Sequence, residues 1–345
     1  MSTNTSSGRV NVWQGAFGPL LIAEIGGNHE GSFEAALQLT DLAIECGADV
    51  IKFQIYTGDS LVSPVESPIR HRHFQRFELS QAQHLFLAER IRSAGRRYNA
   101  SVWDVSALEW LDPFLDFYKI GSGDLTAYPV LAAHAKRGKP ILLSTGLASL
   151  EEVLAAVHFI RSTNPVYERT GQLALLQCTS MYPTADRDVN LRAMDTLRAE
   201  TGVPVGYSDH TTDALALLVA AARGAEILEF HFTDRRDGRT FRDHAISLVS
   251  SEVKSLAAQV VRLSPILGDG TKRPTESEVT SGHTVDFRRA VYCRRDLRAG
   301  DVLRAEDLVV LRPNHGLDAR FFADACGRRV SKDTAAFAAI EIIND

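Results

Sequence analysis

Two histidines stand where short apolar runs give way to polar loops: His210 in GYSDHTT (206–212) and His231 in LEFHFTD (228–234). A pair of imidazoles with carboxylates nearby suits an open site for manganese, iron, cobalt or zinc. A lone histidine in such a place is more often an ordinary polar loop residue, so the metal reading requires the two to be neighbours. Glu229 precedes His231 by two positions and shares its face if the run is a strand. His29 in GGNHEG and His244 in FRDHA are weaker candidates. Two lysines, Lys52 and Lys119, and four hydroxyls, Ser101, Ser122, Ser144 and Ser208, occupy the ends of similar runs. Lysine supplies point charge and hydroxyls supply directional donors, a combination suited to phosphate and carboxylate groups. One hydroxyl at a strand end is usually a cap. Two lysines there are harder to dismiss, because an unpaired buried ammonium is costly.

The elements that must position these residues follow from periodicity. Eight apolar runs read as strands: 20–26, 48–54, 100–105, 117–122, 140–145, 173–179, 203–209 and 225–233. Helical patterns separate them, one with Ser32 as N-cap and Gly47 at its end, another running into Gly224. Continuous rather than alternating apolar character indicates strands buried on both faces. Eight such units over roughly 260 residues predict an α/β fold, a (β/α)8 TIM barrel. A doubly wound open sheet is the alternative, but no glycine-rich fingerprint follows the first strand. All eight runs end in polar side chains, from Glu24 through Lys52, Gln54 and Asp104 to Glu229 and His231. In a barrel these ends form one rim, where active sites are built.

Composition bounds the function. A formal net charge of −5 over 345 residues argues against general nucleic-acid binding. The four cysteines are scattered without disulfide or zinc spacing, which suits reduced thiols in the cytoplasm. No apolar stretch opens the chain and none reaches spanning length, so no membrane is expected. The barrel is expected over 1–265. A Gly/Ser/Thr/Pro-rich linker follows at 266–286, then a small C-terminal module at 287–345 with short strands and the turn RAGD.

The motifs AEIGGNHEG, VIKFQ, YKIGSGDLTAYPVL, GKPILLSTGLASLEE, QCTSMYPT, VPVGYSDHT and HFT…DHAISL resemble, in order, those of sialic acid (nonulosonic acid) synthases. The tail RRAVYCRRDLRAGDVLRAEDLVVLRPNHG resembles the antifreeze-like, or SAF, module of the same enzymes. The resemblance implies condensation of phosphoenolpyruvate with an open-chain N-acylated amino sugar, N-acetylmannosamine or a relative, with release of phosphate. It implies Glu24 as the acid/base and Lys52, Ser101, Lys119, Ser122, Ser144 and Ser208 as the phosphoenolpyruvate site. Gln54, Tyr182 and Asp243 would face the sugar, and His210 and His231 would hold a divalent metal, manganese or magnesium. Arg312 would reach the site of the other subunit of a homodimer. Phe230 replaces a usual lysine, and strand alternation sends it away from the Glu229/His231 face. Phe241 and Arg242 replace a usual Gly-Pro or Gly-Ser turn, Asp124 a common glutamate and Gln177 a frequent histidine, which leaves the acceptor open. A synthase using a phosphorylated acceptor would require a further basic cluster, for which Arg70, Arg72 and Arg76 are the candidates. A catalytically silent carbohydrate-binding barrel is the reading from another class.

Overall fold

The computed structural model describes residues 11–343. The opening residues 1–10, expected from the sequence to lack an apolar stretch, lie outside them. The chain divides into two compact units between Leu267 and Gly268.

The first unit is a closed barrel. A two-residue strand, β1 (Gln14–Gly15), pairs antiparallel with β2 (Gly18–Glu24). Parallel strands follow: β3 (Val50–Ile55), β4 (Arg97–Val102), β5 (Tyr118–Ile120), β6 (Ile141–Ser144), β7 (Leu173–Cys178), β8 (Val205–Asp209) and β9 (Ile227–His231). Pairing of β9 with β2, which sets Glu24 opposite His231, closes the ring. All eight expected barrel strands are present, most with ends trimmed, but β2 lies two residues earlier than expected and β4 three, because Asp104 caps the turn Val105–Ala107 instead of continuing a strand.

Alternation along each strand sorts side chains into two cores. Leu21, Ala23, Ile51, Phe53 and Phe230 face the helices and join the larger apolar cluster. Leu20, Ile22, Val50, Phe117, Leu142, Leu176 and Ile227 fill the lower interior. Trp13 completes this plug, packing edge-on against Phe117 with centroids 5.3 Å apart and donating its indole N–H to Gly171 O at 2.8 Å. Asp49 ties the β1 hairpin down by accepting from the amides of Ala16 and Leu21, both at 2.9 Å. Close strand packing leaves no room at Gly206, where a Cβ would lie 2.3 Å from Ile227 O.

Helix ends follow local chemistry. Ser32 caps the helix Phe33–Glu45, and Gly47 beyond it has φ +90°. Ser149 and Glu152 form a capping box on Leu150–Thr163.

The second unit pairs β10 (Ala290–Cys293) with β11 (Leu308–Leu311) around Val291, Cys293, Leu297, Leu303, Leu308, Ala325, Val330 and Ile340. The segment expected as a linker is partly ordered. It carries short helices at Glu276–Thr280 and His283–Asp286, the first opened by a Thr275/Glu278 capping box. The four cysteines are free thiols, and among the described residues no helix is long and apolar enough to cross a membrane.

Candidate active site

The interior changes character one layer above the apolar plug. Two residues beyond Ile22, Val50, Phe117, Leu142 and Ile227, the inward positions become Glu24, Lys52, Lys119, Ser144 and Glu229. These side chains are buried and form a charged array. Lys52 Nζ lies 2.5 Å from Glu24 Oε2 and 3.5 Å from Glu229 Oε1. Lys119 Nζ lies 3.3 Å from Glu229 Oε2. Two ammoniums face two carboxylates, so the array is formally neutral. Hydroxyls complete it: Lys52 donates to Ser101 Oγ at 3.1 Å and Lys119 to Ser144 Oγ at 2.8 Å. Ser208 donates to Glu229 Oε2 at 2.8 Å. Gln54 Nε2 donates to Glu24 Oε1 at 2.8 Å, fixing that carboxylate.

Burial and charge compete at each group. Burial alone lowers a lysine's pKa, but Glu24 and Glu229 outweigh it at Lys52, whose pKa is raised. At Lys119 burial wins over Glu229, helped by repulsion from Lys52, and the pKa falls. Burial pushes Glu229 up, yet Lys119, Lys52 and the Ser208 hydroxyl hold its carboxylate well below the usual range.

His210 and His231 come together beside this array, their ring centroids 5.3 Å apart. Tyr182 lies against both, at 4.2 Å and 5.9 Å. Burial and the neighbouring His231 push His210 down to about 3, leaving it neutral. Its Nδ1 donates to Thr179 O at 2.7 Å, which frees Nε2 as a ligand atom. His231 Nδ1 is buried without a hydrogen-bond partner among the described residues, and its nearest carboxylate, Asp243 Oδ2, is 3.9 Å away. Among the described residues no group of three or more His, Cys, Asp or Glu is placed to hold an ion. The protein donors that a metal would find here are the two adjacent imidazoles alone, so any such ion would keep its other positions open.

One cavity of about 630 Å³ collects Glu24, Lys52, Gln54, Ser101, Lys119, Ser122, Ser144, Tyr182, Ser208, His210 and His231. Asp243 is buried at its edge, bonded to Arg242. Arg312 belongs to the second unit, exposed after β11 with its guanidinium 5.9 Å from the Phe287 ring. Other strand-end residues are structural: Asp104 caps the turn at Val105–Ala107, and His244 bonds Thr233 at 2.7 Å and Glu30 at 3.2 Å. His29 accepts from Gly31 N at 3.0 Å, and burial lowers it to about 4. Gln177 spends its amide on Val189 O, while Asp124 lines the cavity. Phe230 lies in the outer core, as alternation requires.

These features match a known family. Residues 39–272 match the profile of the NeuB family, and residues 288–336 that of the SAF domain. The chain belongs to the NeuB family. It is 34% identical over 331 residues to the N,N'-diacetyllegionaminic acid synthase of Legionella pneumophila, covering 92% of this chain and 91% of the relative. The pseudaminic acid synthase of Campylobacter jejuni is 32% identical, covering 91% and 92% of the two chains. The N-acetylneuraminic acid synthetase of Leptospira borgpetersenii, solved with citrate, superposes with TM-score 0.68 at 32% identity, covering 76% of this chain and 90% of that one. These three relatives of the NeuB-family chain are synthases of sialic-type acids.

Sequence reasoning put Glu229 at the rim on the face of His231 but did not give its role as the carboxylate between the two lysines. The placement of Arg242 over Tyr182, guanidinium 4.1 Å from the ring centroid, depends on a loop fold that carries no local signal.

Proposed function

We propose that this chain condenses phosphoenolpyruvate with the open-chain form of an N-acylated amino sugar, releasing phosphate and forming a nonulosonic acid. The observation that carries the reading is the buried Lys52–Glu24–Glu229–Lys119 array with its hydroxyls, set beside two adjacent histidines in one cavity. Lys52 and Lys119, with Ser101, Ser144, Ser122 and Ser208, would hold the phosphate and carboxylate. An incoming anion displaces part of the carboxylate pairing and keeps the lysines charged. Glu24, bridged to Lys52 and Gln54, would move a proton, either in opening the sugar ring or as water adds at C2. His210 and His231 would hold a divalent metal, manganese or magnesium, which supplies Lewis acidity at the acceptor's carbonyl oxygen. Tyr182 and Asp243 would flank the sugar. A homodimer in which Arg312 of one subunit completes the other's site extends this reading to the second unit.

The test combines phosphoenolpyruvate with free and phosphorylated N-acylated amino sugars in the presence of manganese, following phosphate release and product mass. Release should depend on the acceptor and yield the sum of the two carbon skeletons. Acceptor-independent release, or none with any acceptor, refutes the assignment.

A further inference from the structure

Resting on the condensation reading, we infer that Arg242 and Arg70 form a subsite for an anionic group on the acceptor, phosphate or carboxylate, remote from its reacting carbonyl. The deep end of the cavity is committed to Lys52 and Lys119, and the histidines stand beside them. Asp243 continues outward from His231, and Arg242 follows, its Nε donating to Asp243 Oδ1 at 2.7 Å. Arg242 thus stands against the two residues that flank the histidines, Tyr182 and Asp243, within the span of an acceptor reacting there.

Three contacts hold that guanidinium in place. It stacks on Tyr182, it bonds Asp243, and its loop is anchored by Phe241, which packs against Phe77 (centroids 5.0 Å) and His73 (5.7 Å). Asp243 takes only Nε, so among the described residues the two terminal nitrogens keep their donors for a ligand. The side chain is 58% exposed into the cavity mouth. Arg70 lines the same cavity from the helix Pro68–Phe77, its guanidinium 6.0 Å from the Phe74 ring and without an ion pair among the described residues. Glu66 also lines the mouth and competes for this charge. Two arginines, one of them fixed by stacking, are what a tetrahedral or planar oxyanion needs, because the guanidinium fork binds both by paired hydrogen bonds. Of the three arginines in PIRHRHFQRF only Arg70 is in the cavity; Arg76 lies 5.1 Å from the Phe77 ring. The second cation comes instead from the loop after β9.

The test compares N-acetylmannosamine, its 6-phosphate and its uronic acid as acceptors, using wild type, Arg242→Gln and Arg70→Gln. Wild type should favour an anionic acceptor in kcat/KM by about tenfold or more, the scale of a charge-assisted hydrogen bond. Each variant should lose about tenfold of that preference, and the favoured anion identifies phosphate or carboxylate. Equal efficiency for neutral and anionic acceptors, or a preference unchanged in both variants, overturns the subsite while leaving condensation intact. Calorimetric titration of the same sugars separates the two claims if no acceptor turns over. Tighter binding of an anionic sugar by wild type than by Arg242→Gln keeps the subsite and sinks the condensation reading; equal binding overturns the subsite.

Discussion

Lys52 and Glu24 can be uncoupled by a double-mutant cycle. Both side chains are almost wholly buried, 3% and 4% exposed, and 2.5 Å apart. Removing one partner of such a pair costs about 3–5 kcal/mol, because the other charge is left in the interior. Glu24→Gln should fall near the lower end, since Lys52 keeps Glu229 at 3.5 Å. Lys52→Met should fall near the upper end, leaving two carboxylates to share Lys119. The double variant leaves Glu229 and Lys119 as a neutral pair, so its loss should be smaller than the sum by roughly 3 kcal/mol. Urea unfolding followed by tryptophan fluorescence measures this in the barrel, since Trp13, Trp103 and Trp110 all lie there. Turnover should behave differently: Glu24→Gln loses ~10²–10⁴ in phosphate release, and adding Lys52→Met restores none of it. Stability losses that add to within about 0.5 kcal/mol would show the two groups to be independent and refute the array as described.

Further expectations concern the metal, the rim, acidity and assembly. His210→Ala and His231→Ala should each weaken binding of manganese in a titration, and unchanged affinity in both returns them to ordinary loop residues. At Gly146 a Cβ would lie 2.6 Å from Ser180 Oγ and 2.8 Å from Ser122 Oγ, so Gly146→Ala should raise KM for phosphoenolpyruvate about tenfold or more; an unchanged KM removes Ser122 from that ligand. Burial, reinforced by His29, holds His84 down at about 3. The unfolded chain binds that proton from about 6.5, so stability is full above 6.5 and declines as pH falls toward 3. The slope is up to about 1.4 kcal/mol per pH unit, and His84→Gln should flatten it in pH-dependent unfolding. Mixing Glu24→Gln with Arg312→Ala under subunit exchange should restore about one quarter of wild-type activity, because hybrid dimers own one undamaged site; a dead mixture excludes the trans arrangement.

The barrel was legible because most strands are runs of apolar residues buried on both faces, and the site because those runs end in polar and charged groups; β4, with Arg97 and Asn99 in it, was expected three residues too late. Lys52, Lys119 and Glu229 could be placed inward by counting in twos from Val50, Phe117 and Ile227. The β1 hairpin was not legible, since two residues carry no alternation and its anchor, Asp49, lies over 30 residues away. The helices in 276–286 were hidden by a linker-like composition, although Thr275 and Glu278 spelled a capping box. Arg242 could be seen as unusual but not located, because its partner Tyr182 is 60 positions distant and meets it only in three dimensions.

Among the described residues, the apolar plug beneath the charged array closes the lower end of the barrel and makes it a well. Among the described residues, Trp13, Phe117 and their neighbours fill the lower interior, so under the proposed function whatever binds against Lys52 and Lys119 would enter past the positions the sugar takes. Under the proposed function this imposes a sequence of events that belongs to traffic rather than to bond making. Phosphoenolpyruvate has to arrive before the sugar, and a sugar bound early bars the way. After reaction the same rule runs in reverse for phosphate lodged at the bottom. Steady-state patterns should then be those of compulsory order, with excess acceptor inhibiting by occupying the empty mouth.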